Sequence, residues 1–190
     1  MPTKVFRSVY WRFLALGLLS LFLASLAARV PTATAESSIF QIYLPIVTAT
    51  QPVTFTIQPF EQQVVELTNA LRQQHGCSAL TISPELSAAA HGHSQDMADQ
   101  NYFSHLDLNG HDVAWRAQQA GYSGTAGWEN ISAGYATAEE VVAKWYNETP
   151  PNDGHRRNLL NCDLNEVGVG YATNSSSTYT TYWTQDFGQQ

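Results

Sequence analysis

The apolar residues change their spacing near Asn165, and this change limits the folds open to the chain. Before it, apolar residues recur every three or four positions, as on one face of an α-helix. After it, Val167, Val169 and Tyr171 alternate, TNSSS suits a turn, and TYTTYWTQDFG is β-branched and aromatic almost throughout. The sequence therefore predicts helices followed by a β-hairpin at its carboxyl end.

Four helices are predicted ahead of the hairpin. They start at or directly after Pro59, Ser83, about Asp112 and Thr137. The first ends at Gly76 and the third at about Ala120. With WENISA, residues 128–133, as a third strand, the pattern predicts an α+β fold in which helices cover a small antiparallel sheet.

Residues 1–35 are predicted to be a cleaved secretory signal peptide. Basic residues begin the segment, a mostly apolar run of sixteen residues follows at 13–28, and small residues at 33–35 suit cleavage. An uncleaved membrane anchor is the alternative, but the apolar run is shorter than the roughly 20 residues that a spanning helix needs. We expect a secreted, extracellular protein with no membrane span after cleavage. Residues 36–58 are predicted to be an extended linker, and residues 59–190 one globular domain.

Removal of residues 1–35 would leave a strongly acidic chain. Four of the nine basic residues lie in that segment and all sixteen acidic residues follow it, so five basic residues remain and the net charge becomes −11. Such a surface repels phosphate backbones and anionic lipid head groups. The charge therefore argues against nucleic acid as a partner and favours neutral or cationic partners.

Cys77 and Cys162 are the two cysteines of the chain. Exported proteins keep disulfides, and the even count favours one bridge between the two residues. Two buried thiols or two zinc ligands are the alternatives, although no Cys-x-x-Cys spacing is present. We expect the disulfide.

The stretch GYSGTAGWENISAG, residues 121–134, places Glu129 among glycines with no basic residue beside it. Taken alone, the stretch favours a surface carboxylate next to a flexible loop. The chain also lacks the common catalytic and phosphate-binding motifs, which leaves its six histidines as the main source of chemistry. Of these, His93 shares the apolar face of the second helix, whereas His105 follows that helix where a side chain can enter a cleft.

The chain carries six ordered motifs that resemble the CAP superfamily, also called the SCP domain: LSAAAHGHSQDMADQNYFSH, WENISAG, VVAKWYNE, GHRRNLL, VGVGYA and YWTQDFG. The resemblance covers about residues 61–188 and implies a three-layer α-β-α sandwich. It also implies a cleft lined by a tetrad of two histidines and two glutamates: His105, Glu129, Glu148 and His155. The family usually has glycine before the first glutamate, so Trp128 at this position is expected to narrow or roof the cleft.

Two imidazoles and two carboxylates in one cleft suit two kinds of site. One is a zinc site held by His105 and His155, with water completing the coordination and the glutamates ligating or orienting that water. The other is a hydrogen-bonded quartet that ties loops to the sheet. The resemblance implies zinc, sterol or lipid binding in some members and proteolysis in few.

Three functions follow, in order of preference. The first is a secreted module that binds a small apolar ligand or an extracellular protein, with Trp128, Tyr135 and Tyr102 as apolar walls. The second is a zinc-dependent, protease-like hydrolase. The third is an inert structural domain at the cell surface.

Overall fold

The computed structural model describes residues 55–190, so the predicted signal peptide and most of the predicted linker lie outside the described residues. Within residues 55–190, no helix is both long and apolar enough to cross a membrane. The helices and strands of this part follow in the order α1 (Pro59–Gln74), β1 (Thr81–Ile82), α2 (Pro84–Gln100), α3 (Val113–Gln119), β2 (Thr125–Ala133), α4 (Ala138–Tyr146), α5 (Gly154–Leu159), β3 (Glu166–Thr173) and β4 (Thr181–Gln189).

The four predicted helices are present, and their ends follow the signals in the sequence. The Ser83 hydroxyl caps α2 by accepting a hydrogen bond from the backbone N–H of Leu86 at 3.2 Å. Thr137 and Glu140 form the predicted capping box at the start of α4. Helix α5 was not predicted, because its six residues are too few to show a helical repeat.

The predicted hairpin and third strand form most of a four-stranded sheet with the order β1-β3-β4-β2. Strands β3 and β4 pair antiparallel, as do β4 and β2. Strand β1 is an addition to the prediction: it has two residues and pairs parallel to β3. Strand β2 is therefore an edge strand of the sheet.

Helix α2 packs on one face of the sheet at very short range. A Cβ atom at Gly168 would lie 2.1 Å from the carbonyl carbon of Leu86, and one at Gly170 would lie 2.2 Å from the backbone nitrogen of His91. Val167 and Val169 alternate with these glycines and so face the other way, into a core shared with α1 and α4. The sheet thus lies between two helical layers, which is the α-β-α sandwich that the resemblance implied.

Cys77 and Cys162 form the predicted disulfide, which joins the segment after α1 to the segment after α5. Closing a loop of 85 residues contributes roughly 4 kcal/mol in the chain-entropy estimate. The buried guanidinium of Arg72 lies close by in sequence and donates hydrogen bonds to four backbone carbonyls, those of Ser78, Leu159, Asn161 and Leu164. The disulfide and Arg72 together anchor the carboxyl end of α5 to α1.

The close contact of α2 with the sheet predicts opposite effects for two glycine substitutions. Gly168→Ala would force a methyl group into the backbone of α2 and is expected to cost about 3 kcal/mol of unfolding free energy. Gly92→Ala lies on the exposed side of the same helix, where an added Cβ has no neighbour within 4 Å. Its higher helix propensity should stabilise the protein by about 0.8–1 kcal/mol. Urea unfolding of both variants measures the difference, and equal effects would contradict this packing.

Candidate functional site

A cavity of about 730 Å³ lies beside the edge strand β2, and all four tetrad residues line it: His105, Glu129, Glu148 and His155. We call this space the tetrad cavity. Two side-chain amides join α5 to β2 beside the tetrad cavity. Asn158 donates a hydrogen bond to the carbonyl oxygen of Glu129 at 3.1 Å, and Asn130 donates to the carbonyl oxygen of His155 at 3.3 Å. The tetrad residues therefore come together from four different segments of the chain.

The first pair in the tetrad cavity is His105 with Glu129. Nδ1 of His105 lies 2.6 Å from Oε1 of Glu129, and because a carboxylate only accepts hydrogen bonds, Nδ1 is the donor. The imidazole is 57% exposed, whereas the glutamate side chain is 3% exposed. An accessible imidazole is thus held by a buried carboxylate, and the expectation of a surface carboxylate at Glu129, taken from its local stretch alone, is wrong.

The second pair is His155 with Glu148. Nδ1 of His155 lies 2.7 Å from Oε1 of Glu148, and the backbone N–H of His155 donates to Oε2 of the same carboxylate at 3.0 Å. Glu148 follows α4, and His155 lies in the first turn of α5. One carboxylate therefore fixes both the ring of His155 and the start of its helix.

The two imidazoles face the same space, with their ring centroids 6.5 Å apart. Each ring uses Nδ1 for its glutamate, and neither Nε2 has a hydrogen-bond partner among the described residues. A neutral imidazole that donates from Nδ1 carries a free lone pair on Nε2. No group of three or more His, Cys, Asp or Glu side chains within residues 55–190 is arranged to hold a metal ion. The described side chains would therefore supply at most two ligands to a metal in this cavity.

Arg116 is the partner of Glu129 that the sequence did not reveal. Its guanidinium, carried by α3 and almost fully buried, donates to Oε2 of Glu129. It also donates to the carbonyl oxygens of His105 and His111, each at 3.0 Å. A single cation thus binds both the carboxylate and the loop that carries the His105 ring. One feature of the sequence could have indicated the burial of Arg116: it lies three residues after Val113 and directly before Ala117. This spacing puts Arg116 on the buried face of α3.

A second layer of buried polar groups lies behind Glu129. His93 is buried, as its place on the apolar face predicted, and its Nε2 donates to the carbonyl oxygen of Ser104 at 2.9 Å. The same nitrogen lies 3.8 Å from Oε2 of Glu129. Burial lowers the pKa of His93, which keeps the ring neutral. On the sheet side, Asp186 of β4 stands directly opposite Glu129.

The walls of the tetrad cavity are more polar than expected. Trp128 lines the cavity, but Tyr102 and Tyr135 do not, so two of the three predicted apolar walls are wrong. The Tyr102 hydroxyl donates instead to Asp96, and Tyr135 packs against the core between the sheet, α1 and α4. The direction in which each of these tyrosine side chains points depends on tertiary packing, which the local sequence does not determine. The other large polar lining residues are Asn152, Arg157, Asn158 and Asn161.

The pairing of Arg116 with Glu129 predicts a large effect from removing the cation. Arg116→Met would leave the buried carboxylate without its charged partner and is expected to cost about 3–5 kcal/mol. Arg157→Met is the matched control, because the Arg157 side chain is 72% exposed in its pair with Asp153, and a change of no more than about 0.5 kcal/mol is expected. Chemical denaturation compares the two. A small effect at Arg116 would show that Glu129 does not depend on this cation.

Comparison with known proteins identifies a matching family and two related proteins of Bacillus subtilis. The profile of the cysteine-rich secretory protein family, CAP, matches residues 65–187. YkwD, an uncharacterized protein of Bacillus subtilis (strain 168), is 40% identical over 132 residues, which make up 70% of this chain and 48% of YkwD. YlbC, an uncharacterized membrane protein of the same strain, is 33% identical over 127 residues, 67% of this chain and 34% of YlbC. The chain thus spans less than half of the length of these two relatives.

Solved structures give the same result for the fold. An extracellular protein containing an SCP domain, from Bacillus anthracis str. Ames, is 31% identical with a TM-score of 0.60, over 71% of this chain and 45% of that chain. An outer surface protein of Borrelia burgdorferi, 19% identical, shares the fold with a TM-score of 0.59 over 68% of this chain and 91% of that chain. Given the profile match over residues 65–187 and this shared fold, the chain belongs to the CAP family of cysteine-rich secretory proteins.

Proposed function

We propose that this CAP domain is an extracellular binding module that takes a polar segment of a basic protein partner in the tetrad cavity, with zinc held by His105 and His155. The observation that carries the proposal is the pair of imidazoles, each oriented by a glutamate and each with an unpartnered Nε2 among the described residues. The signal peptide predicted at residues 1–35, the disulfide and the extracellular relative from Bacillus anthracis support an exported location.

The lining of the tetrad cavity favours a polar partner over a small apolar ligand. Small-molecule sites are mostly apolar with few polar groups. Here Trp128 is the one large apolar side chain among the described lining residues, beside the two His–Glu pairs, three asparagines and Arg157. Such a lining offers many hydrogen-bonding groups and one flat apolar contact. A peptide segment, with its regular amide groups, supplies matching donors and acceptors.

The charge of the surface favours a basic partner. Five basic residues follow residue 35, and two of them, Arg72 and Arg116, are buried in internal hydrogen bonds. The surface that remains is rich in carboxylates and has few cations. Complementary charge speeds association and selects among partners, so a partner with a cationic surface is favoured.

The donor set of the tetrad cavity fits a weakly bound zinc ion. Metal-binding histidines commonly donate their second ring nitrogen to a carboxylate, and both histidines here do so. Glu129 and Glu148 would then orient the imidazoles, while Nε2 of each ring would be the ligand. With two protein ligands, zinc would keep open coordination positions that a donor group of the partner can fill.

The proposal predicts that zinc stabilises the wild-type protein through these two histidines. Added zinc should raise the melting temperature by mass action, equivalent to about 2.7 kcal/mol at a hundred times the dissociation constant. His105→Ala and His155→Ala should each abolish the gain. His75→Ala is the matched control, since His75 is exposed and bonds to Tyr146 outside the cavity, and it should keep the gain. Differential scanning calorimetry and titration calorimetry measure both effects.

A purely structural quartet gives a different result. In that case the wild type shows no heat of zinc binding, and both tetrad variants lose stability to the same extent with and without zinc, because the glutamates are left without their imidazole donors. That combination would reject the zinc site. It would leave partner binding to be judged by titrating a basic peptide into the wild type and the Trp128→Ala variant.

A further inference from the structure

Asp186 is a buried acid placed directly behind the tetrad cavity. In the register of β2 and β4 it stands opposite Glu129, so the two side chains lie on the same face of the sheet. Asp186 is 0% exposed. Two carboxyl groups therefore share one buried space, and the arrangement of their donors decides which of them is ionised.

The donors are distributed unequally between the two acids. Glu129 accepts hydrogen bonds from Nδ1 of His105 and from Arg116. Neither carboxyl oxygen of Asp186 receives a hydrogen bond from any described residue. A buried carboxylate without donors is very unfavourable, whereas a protonated carboxyl group needs only an acceptor.

The space around Asp186 is closed on the side of α2. Asp186 of β4 is paired with Gly168 of β3. The backbone of α2 passes so close to Gly168 that a Cβ atom there would lie 2.1 Å from the carbonyl carbon of Leu86. Bulk water is therefore kept from this side of the carboxyl group. The acid must find its hydrogen bond inside the protein.

We propose that Asp186 carries a proton at neutral pH and donates it to Glu129, so that Asp186 is a positioning residue for the His105 arm of the tetrad cavity. The two oxygens of Glu129 then accept three hydrogen bonds, from the imidazole of His105, the guanidinium of Arg116 and the carboxyl group of Asp186. This fixes the orientation of the Glu129 carboxylate and, through it, that of the His105 ring. Asp186 has this positioning role whatever the cavity binds.

The charges around Asp186 support this assignment. Arg116 from α3 balances the one negative charge of Glu129 from β2, and His93 from α2 is neutral. Strand β3 contributes only Gly168 at this level, and His105 lies beyond Glu129. A second carboxylate would leave one negative charge uncompensated. Burial, and next the charge of Glu129, raise the pKa of Asp186 well above its usual range, against the opposing effect of Arg116.

Infrared and carbon-13 spectra of the full chain test the protonation state directly. At pH 7 the wild type should show the C=O stretching band of a protonated, buried carboxyl group, and Asp186→Asn should lack it. A carboxyl carbon-13 shift of Asp186 that reports a carboxylate at pH 7 would overturn the proposal. The wild-type spectrum decides the question even where a variant folds poorly.

The pH dependence of stability gives a second, independent measurement. Asp186 holds its proton in the folded state but releases it near its ordinary pKa of about 3.9 when unfolded. The protonated Asp186 therefore contributes fully to the free energy of unfolding below about pH 4, and this contribution is lost as the pH rises through the raised pKa of the folded state. Asp186→Asn keeps a donor to Glu129 without this proton, so its melting temperature should fall less than that of the wild type as the pH rises. Identical pH profiles of the two proteins would contradict the proposal.

Two substitutions of Asp186 distinguish its hydrogen bond to Glu129 from the space that its side chain fills. Asp186→Asn should preserve the Nδ1–H signal of His105 in proton–nitrogen spectra, because the amide still donates to Glu129. Asp186→Ala should broaden or lose that signal while His155 keeps its own. Equal effects of both variants on His105 would reject a role for the donated hydrogen bond.

Discussion

The buried charge of Glu129 organises one half of the tetrad cavity. A carboxylate that is 3% exposed in an edge strand must be compensated, and Arg116 supplies the compensating charge from α3. The same guanidinium donates to the carbonyl oxygens of His105 and His111. The group that neutralises the Glu129 carboxylate therefore also fixes the loop between α2 and α3. His105 then needs only its Nδ1–H bond to Glu129 to be held in a defined orientation, although its ring is more than half exposed. The geometry of the candidate site and the stability of the fold therefore depend on the same buried ion pair.

The other half of the tetrad cavity is held by different physical means. His155 lies in the first turn of α5, a helix of six residues that is too short to be stable alone. Its carboxyl end is anchored by the Cys77–Cys162 disulfide and by the hydrogen bonds of Arg72, and its first turn by the Glu148 carboxylate. Asn158 and Asn130 then join this helix to β2. The two imidazoles, with ring centroids 6.5 Å apart, are therefore held by separately anchored parts of the fold.

Local chemistry explains which parts of this structure could be predicted. The caps at Ser83 and Thr137 and the alternation in β3 are short-range signals, and the structure confirms them. Strand β1 and helix α5 were missed because two and six residues carry no measurable period. The tetrad came from resemblance, since four residues spread from position 105 to 155 share no local pattern. Arg116 and Asp186 were missed for a related reason: each acquires its role only from a partner on another element, and the sheet register that pairs Asp186 with Glu129 is set by the whole sandwich.

In both His–Glu pairs the glutamate accepts the hydrogen bond from Nδ1, which leaves Nε2 of each ring free. Long-range proton–nitrogen correlation spectra of the imidazole rings, recorded at neutral pH on the wild-type protein, measure this tautomer directly. We expect the Nδ1–H tautomer for both His105 and His155, with Nε2 unprotonated. Nε2–H tautomers, or averaged signals showing that the rings exchange freely between the two forms, would contradict it.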